Sequence, residues 1–327
     1  MESDHLEEFY IILNPSSGAG RGERFLPLLS QFAQSNGGHI LVSQFPGHST
    51  ELAKSVAAKG RLIFAAGGDD TVREVLQGIH TSKSVLGILP LGTFNNLATS
   101  LYLPPDPLEC LSLSVDGGVN CKIDLGKIEN GPLFTESIGI GLDAHAWSKA
   151  PRKEPVGIGR WIMGLRVGLA SILDFTPQNY TLEIDGQRQK VNDVLQITVA
   201  NSRCYCSGVQ IAPNAKMNDG LLDICIVSRL NKLKFLLMTP LFYFGRHINS
   251  STSVRYIQAQ KITIAGPKHV AVRVDGVLAS WQPPLKAMAL SNSLTIRLPA
   301  RCRYTNSLLS GERPPSIHKG KKTSGAG

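Results

Sequence analysis

A chain of 327 residues with 42% hydrophobic and 18% charged side chains is long enough for two domains with ordinary cores, which excludes a disordered protein. Its formal net charge of +9 favours acidic partners such as nucleotides or anionic lipid headgroups. Aromatics make up 6%, with no aromatic-basic interleaving and no zinc module, so no nucleic-acid partner is expected. In chain order, Phe9 to Leu13 reads as an apolar strand, followed by the turn-rich Asn14-Pro15-Ser16-Ser17-Gly18-Ala19-Gly20 and a helix from about Glu23 to Gln34. Ile40 to Gln44 and Thr50 to Lys59 repeat the strand–helix pair, as do Leu62 to Ala66 and Thr71 to His80. Val85 to Pro90 is a fourth strand, ending in Leu91-Gly92-Thr93-Phe94-Asn95-Asn96 before a short helix at Leu97 to Leu101. This alternation predicts a parallel α/β sheet, in which ligands sit at the carboxyl ends of strands.

From about Asn120 the pattern changes to short β-forming runs between turn residues: Lys122 to Ile128, Tyr180 to Ile184, Leu195 to Ala200, Leu222 to Val227, Lys261 to Ile264, Val270 to Val274 and Ser293 to Leu298. These predict a mainly antiparallel β domain, interrupted by helices at about Arg160 to Asp174 and Lys232 to Gly245. Ser293 to Leu298 is also a candidate to return to the first domain. In the first of these helices Trp161, Leu165, Leu169 and Ile172 recur at helical spacing beside Arg160 and Arg166. They suit either a core helix or one lying against anionic lipid. The six cysteines show no staple or zinc spacing. Met1 to Glu8 is polar, and the longest apolar run, Leu233 to Phe244, is broken by Lys234 and Pro240. A cytoplasmic protein is expected, with a basic, disordered tail over 306–327.

The most informative stretch is Arg61 to Glu74. A strand halts at Gly67-Gly68, and Asp69-Asp70-Thr71 opens a helix whose Val72, Val75, Leu76 and Ile79 share one face. Unpaired backbone N–H groups at such a helix start make a phosphate cradle. Thr71 with Glu74 also fits a capping box, so a well-capped helix is the plainer alternative. Two further strand-end loops, Asn14 to Gly20 and Gly92 to Asn96, are similarly rich in Gly, Ser, Thr and Asn. None matches the Walker or dinucleotide fingerprints.

Asn14-Pro15-Ser16-Ser17-Gly18, Gly67-Gly68-Asp69-Asp70-Thr71-Val72-Arg73-Glu74-Val75 and Leu89-Pro90-Leu91-Gly92-Thr93-Phe94-Asn95-Asn96-Leu97-Ala98 resemble the diacylglycerol kinase catalytic-domain family, bacterial lipid kinases above all. Later segments fit in the same order: Gly139-Ile140-Gly141-Leu142-Asp143-Ala144, Asn218-Asp219-Gly220-Leu221-Leu222-Asp223 and Val274-Asp275-Gly276. The resemblance implies an ATP- and magnesium-dependent kinase of a lipid hydroxyl, transiently membrane-associated. It implies an α/β nucleotide-binding domain over 1–122 and a β-rich lipid-acceptor domain over 123–300, with the active site in the cleft between them. Carried over, Asn14, Ser43, Gly67, Gly68, Asp69, Asp70, Thr71, Val72, Arg73 and Thr93 would contact the nucleotide. Asp143 would contact substrate, and the Asp219 carboxylate with the Lys216 and Leu221 carbonyls would hold magnesium. Oxygen ligands suit that hard ion, although Asn218-Asp219-Gly220 alone reads as a hairpin turn. A homodimer is among the assemblies this leaves open.

Three positions depart from the family pattern. Asp70 replaces the glycine of Gly-Gly-Asp-Gly-Thr, and a carboxylate about 4 Å from phosphate costs roughly 1 to 4 kcal/mol unless magnesium bridges them. Val277 replaces a glutamate thought to accept the hydroxyl proton, a loss that typically costs about 100- to 10,000-fold in rate. Asp275 is then the obvious substitute, and Asp69 is the other candidate catalytic carboxylate. Asn96 stands where many relatives have Asp, which is a milder change. The departures support an alternative: a catalytically impaired nucleotide- or lipid-binding protein. An NAD kinase-like enzyme with a soluble substrate is a third reading, disfavoured by the β-domain segments.

Overall fold

In a computed structural model of the chain, residues 8–149, 158–205, 208–248, 250–267, 270–279, 284–300, 302 and 305 are described, with 158–165 as backbone alone. The tail expected over 306–327 and the side chains of Arg160, Trp161 and Leu165 lie outside the described residues.

The first half runs β1 (Phe9–Leu13), α1 (Ser17–Ser35), β2 (Gly38–Val42), α2 (His48–Val56), β3 (Leu62–Gly67), α3 (Asp69–Ile79), β4 (Val85–Pro90), α4 (Asn96–Ser100) and α5 (Pro107–Val115). Its strands pair in parallel in the order β4-β3-β1-β2. Alternation along each strand sends side chains to opposite faces. Ile12, Ile63 and Ala65 join the core that α3 covers through Val72, Val75, Leu76 and Ile79. Ile11, Leu13, Phe64 and Ala66 face the other way, against Leu29 of α1 and Leu111 of α5. Because both faces are covered, β3 and β4 carry no polar residue. The sequence pattern did not reveal α5. Its start has a readable signal, since Asp106 accepts hydrogen bonds from Leu108 N and Glu109 N at 2.9 Å and Pro107 fills the first turn.

The second half contains β5 (Val119–Ile128), β6 (Leu133–Phe134), β7 (Ser137–Gly141), α6 (Leu142–Lys149), α7 (Ile158–Asp174), β8 (Gln178–Ile184), β9 (Gln187–Ala200), β10 (Leu222–Ser228), α8 (Lys232–Tyr243), β11 (Val254–Ala259), β12 (Lys261–Ala265), β13 (Val272–Val274), β14 (Val277–Ala279) and β15 (Leu285–Leu298). Its pairings are antiparallel, around a core that includes Phe134, Ile138, Ile197, Ile224 and Val272. The long β15 belongs to both halves. Its first residues pair with β12, nearly its whole length pairs with β5, and Thr295 and Ile296 lie parallel to Val85 and Leu86 of β4. The fold is therefore a parallel α/β region joined through one strand to an antiparallel β-rich region.

Candidate active site

The loops after β1, β3 and β4 converge, because strand ends of one parallel sheet lie side by side. The Gly67 carbonyl accepts from Leu91 N and Gly92 N at 3.0 and 3.1 Å, which locks the β4 loop onto the β3 turn. Contact there is backbone on backbone: a Cβ on Gly92 would lie 2.3 Å from the Gly68 Cα. Gly18, Ala19 and Gly20 have φ of 60, 56 and 85°, a left-handed run that turns successive N–H groups toward one side. Gly18 also admits no side chain, because a Cβ would meet the Leu91 carbonyl oxygen at 2.1 Å. No side chain caps α3, so its first-turn amides remain available to an anion, whereas Ser17 N at the start of α1 already donates to Asn14 O at 3.2 Å.

These loops form one wall of a cavity of about 380 Å³. Asn14, Ser17, Gly68, Asp69, Asp70, Thr71 and Thr93 line it from the parallel half, and Glu136, Trp147, Arg273 and Asp275 from the antiparallel half. Three of the four carboxyl groups that line it, those of Asp69, Glu136 and Asp275, act on one another electrostatically. Burial pushes Asp69 up to about 6; the Asn96 and Leu97 amides at the start of α4 oppose the shift, and Asp275 and Asp70 add to it. Asp275 sits at φ 43° in the turn between β13 and β14. Its Oδ2 accepts from Thr135 N at 2.7 Å and Thr135 Oγ1 at 3.2 Å, and its Oδ1 accepts from Glu136 N at 2.9 Å and Ser137 N at 3.0 Å. Burial lifts this carboxyl and the three amides oppose it.

Glu136, which the sequence did not single out, is buried between β6 and β7, and its Oε2 accepts from Asn96 Nδ2 at 2.9 Å. Burial first, then Asp69 and Asp275, holds its carboxyl well above the ordinary value, against Arg273 and the Asn96 amide. Arg273 was missed as well. It is buried on β13, where Nε donates to Asp143 Oδ2 at 2.9 Å, Nη2 donates to Ser137 Oγ at 3.3 Å, and the guanidinium lies 4.7 Å from the Tyr205 ring centre.

The remaining sequence-predicted residues stand apart from this cavity. Ser43 is buried, and its amide extends the sheet to Leu13 O at 2.8 Å. Gly67 is inside β3, Val72 belongs to the core, and Arg73 reaches back to Asp70 Oδ1 at 2.8 Å. The Asp143 carboxylate forms a buried pair with Arg273 through Oδ2. Lys216, Asp219 and Leu221 form a separate turn, where Asp219 Oδ1 accepts from Leu221 N at 3.1 Å. The neighbouring Asp124 spends its oxygens on Gly220 N and Asn292 N, both at 2.7 Å. Among the described residues there is no cluster of three or more His, Cys, Asp or Glu suited to a metal.

Comparison with known proteins places this geometry in a family. The diacylglycerol kinase catalytic domain matches residues 8–128, and the YegS C-terminal NAD kinase beta sandwich-like domain matches residues 136–297. A diacylglycerol kinase of Mycobacterium tuberculosis is 32% identical over 238 residues, which is 71% of this chain and 75% of that protein. The diacylglycerol kinase of Bacillus subtilis is 26% identical over 278 residues, 84% of this chain and 90% of that one. In the crystal structure of a diacylglycerol kinase from Bacillus anthracis the fold recurs with a TM-score of 0.66 at 24% identity, covering 89% of this chain and 96% of the other.

Proposed function

The chain belongs to the diacylglycerol kinase family, and from that premise we propose that it transfers the γ-phosphoryl group of ATP to the hydroxyl of a diacylglycerol-like lipid. The observation that carries the proposal is the cavity itself. Uncapped amides and the Gly68–Gly92 contact form one wall, and buried carboxyls with Arg273 form the other. A triphosphate fits the first wall, since the left-handed run at Gly18–Gly20 and the start of α3 both present backbone donors. Magnesium, when bound with ATP, supplies counter-charge to the phosphates. One carboxylate, Asp69, suffices as its protein ligand there, because the ion commonly keeps phosphate and water ligands.

The 216–221 turn offers a second magnesium two nearby carboxylates: burial first and then Asp124 lift the Asp219 carboxyl, while the Leu221 amide and the Lys216 charge oppose the shift. Asp219 with the Lys216 and Leu221 carbonyls would hold it, with Asp124 contributing charge and no ligand atom.

The impaired-protein alternative rests on Asp70 and Val277. The Asp70 side chain is 73% exposed and paired with Arg73 one turn along α3, which offsets the repulsion its charge brings to a phosphate site. The deciding experiment incubates the protein with labelled ATP, magnesium and diacylglycerol, a sphingoid base, phosphatidylglycerol or NAD. Phosphorylated diacylglycerol well above background is expected. Product from NAD alone overturns the lipid assignment. Turnover that appears only in Asp70→Gly with Val277→Glu supports the impaired form.

A lipid acceptor requires contact with a bilayer. No helix among the described residues is long and apolar enough to cross a membrane. On α8, Leu233 and Leu237 are 68% and 71% exposed, and Leu173 at the end of α7 is 62% exposed. The helix contains Lys232 and Lys234 and no acidic residue, so the proposed occupant of this face is an anionic bilayer. Leu233→Asp with Leu237→Asp should cut sedimentation with phosphatidylglycerol vesicles by about tenfold or more, since each buried leucine is worth roughly 1.5 to 3 kcal/mol. Unchanged vesicle binding, or a dimer that these changes dissociate, would reassign the face.

A further inference from the structure

We propose that Glu136 is the proton acceptor of the transfer, performing from the β6–β7 junction the task that no residue at position 277 can perform in this chain. The inference rests on the lipid-kinase reading above. Val277 carries no ionisable group, and it is 42% exposed on β14. Asp275, next to it, has its oxygens occupied by four donors from Thr135, Glu136 and Ser137. A carboxylate offers about four lone-pair sites, so an incoming hydroxyl would have to displace a backbone amide there. Asp69 receives the Asn96 and Leu97 amides and lies beside the phosphate cradle.

Glu136 is different. It lines the cavity, it is 2% exposed, and among the described residues its carboxyl accepts one hydrogen bond, from Asn96. The groups that set its charge come from every packed element: Asp69 from α3, the Asn96 amide from α4, Asp275 and Arg273 from β13 and its turn, and Cys204 beyond β9. Burial first and then two carboxylates disfavour its anion, and Arg273 and the Asn96 hydrogen bond favour it. A carboxyl balanced in this way is more basic than an exposed one, as proton abstraction near neutral pH requires.

The step balances. The acceptor oxygen forms a bond to the γ-phosphorus, and the bond from that phosphorus to the bridging oxygen breaks, its electron pair leaving on ADP. The hydroxyl proton passes to the Glu136 carboxylate and from there to solvent. Asn96, which holds Oε2, is a positioning residue.

Glu136→Gln tests this, because the amide preserves the size of the side chain and an oxygen for Asn96. With diacylglycerol as acceptor, kcat should fall about 100- to 10,000-fold. ATP affinity by equilibrium dialysis should stay within threefold, and the acidic limb of the kcat–pH profile should flatten. Glu136→Asp should retain more activity than the glutamine form. In the free wild-type protein, carbon-13 NMR of the glutamate carboxyls should show one midpoint well above the ordinary range, absent in Glu136→Gln. A kcat within fivefold of wild type overturns the assignment, as does a parallel loss of ATP binding or an ordinary NMR midpoint. Wild-type protein inert toward every lipid overturns the parent reading instead.

Discussion

Asp275→Ala should lower the melting temperature by about 10 °C and reduce turnover to background. The carboxylate accepts the Thr135, Glu136 and Ser137 amides and the Thr135 hydroxyl, all within a buried corner. Alanine leaves three buried N–H groups without acceptors, and each orphaned group costs about 1 to 3 kcal/mol. An opposing effect has to be weighed, because the substitution also removes a charge that repels Glu136 and Asp69. Arg273 loses the counter-charge of Asp275 in the same step, so the relief is partial. A net loss of about 4 kcal/mol is expected, and a domain of this size loses roughly 2 to 4 °C per kcal/mol. Asp275→Asn keeps one acceptor oxygen and should fall between the two. Differential scanning calorimetry decides the matter: a shift under 2 °C for the alanine form would show that the 135–137 segment does not depend on this clamp.

Asp69→Asn should make the protein more stable and less active. The folded carboxyl ionises near 6 instead of 3.8, so between those values the folded chain binds more protons than the unfolded one. Stability therefore declines as pH rises from about 4 through 6, and the full penalty is present above that. Removing the charge should return on the order of 1 to 3 kcal/mol at pH 8 and only about 0.5 kcal/mol at pH 4, where the folded group is protonated and the unfolded one is roughly half ionised. Turnover should drop by roughly 100-fold or more, the scale of losing a charged group that faces the developing transition state. Melting curves for both proteins across pH 4 to 8 provide the check. A melting-temperature gain that does not grow with pH would mean the buried charge is not the cause.

Much of the parallel half was legible in the sequence because each strand and helix carries its own period. The runs Leu62 to Ala66 and Val85 to Pro90 are short, apolar and bounded by glycine, which favours strands buried on both faces followed by turns. The loop residues that line the cavity, Asn14, Gly68, Asp69, Thr71 and Thr93, were readable for that reason. Residues supplied across the sheet were not. Glu136 reaches Asn96 over 40 residues of chain, and Asp275 reaches Thr135 over 140. No local period records such pairings. A signal did exist in the anomaly of one glutamate set between the apolar Leu133–Phe134 and Ser137–Gly141 strands. Asp143 shows the same limit. Its motif marks the position, but the buried guanidinium that claims it lies 130 residues further on.

The double membership of β15 bears on how this protein can be cut. Residues 1–122 look like a separable unit by composition, yet the flank of β4 in that unit is closed by Thr295 and Ile296 from near the other end of the chain. An expression fragment that stops before residue 285 would therefore leave β4 with an open edge at Val85 and Leu86, and a C-terminal truncation that removes β15 would open both halves together. Proteolysis should accordingly give either intact protein or small peptides, with no stable half.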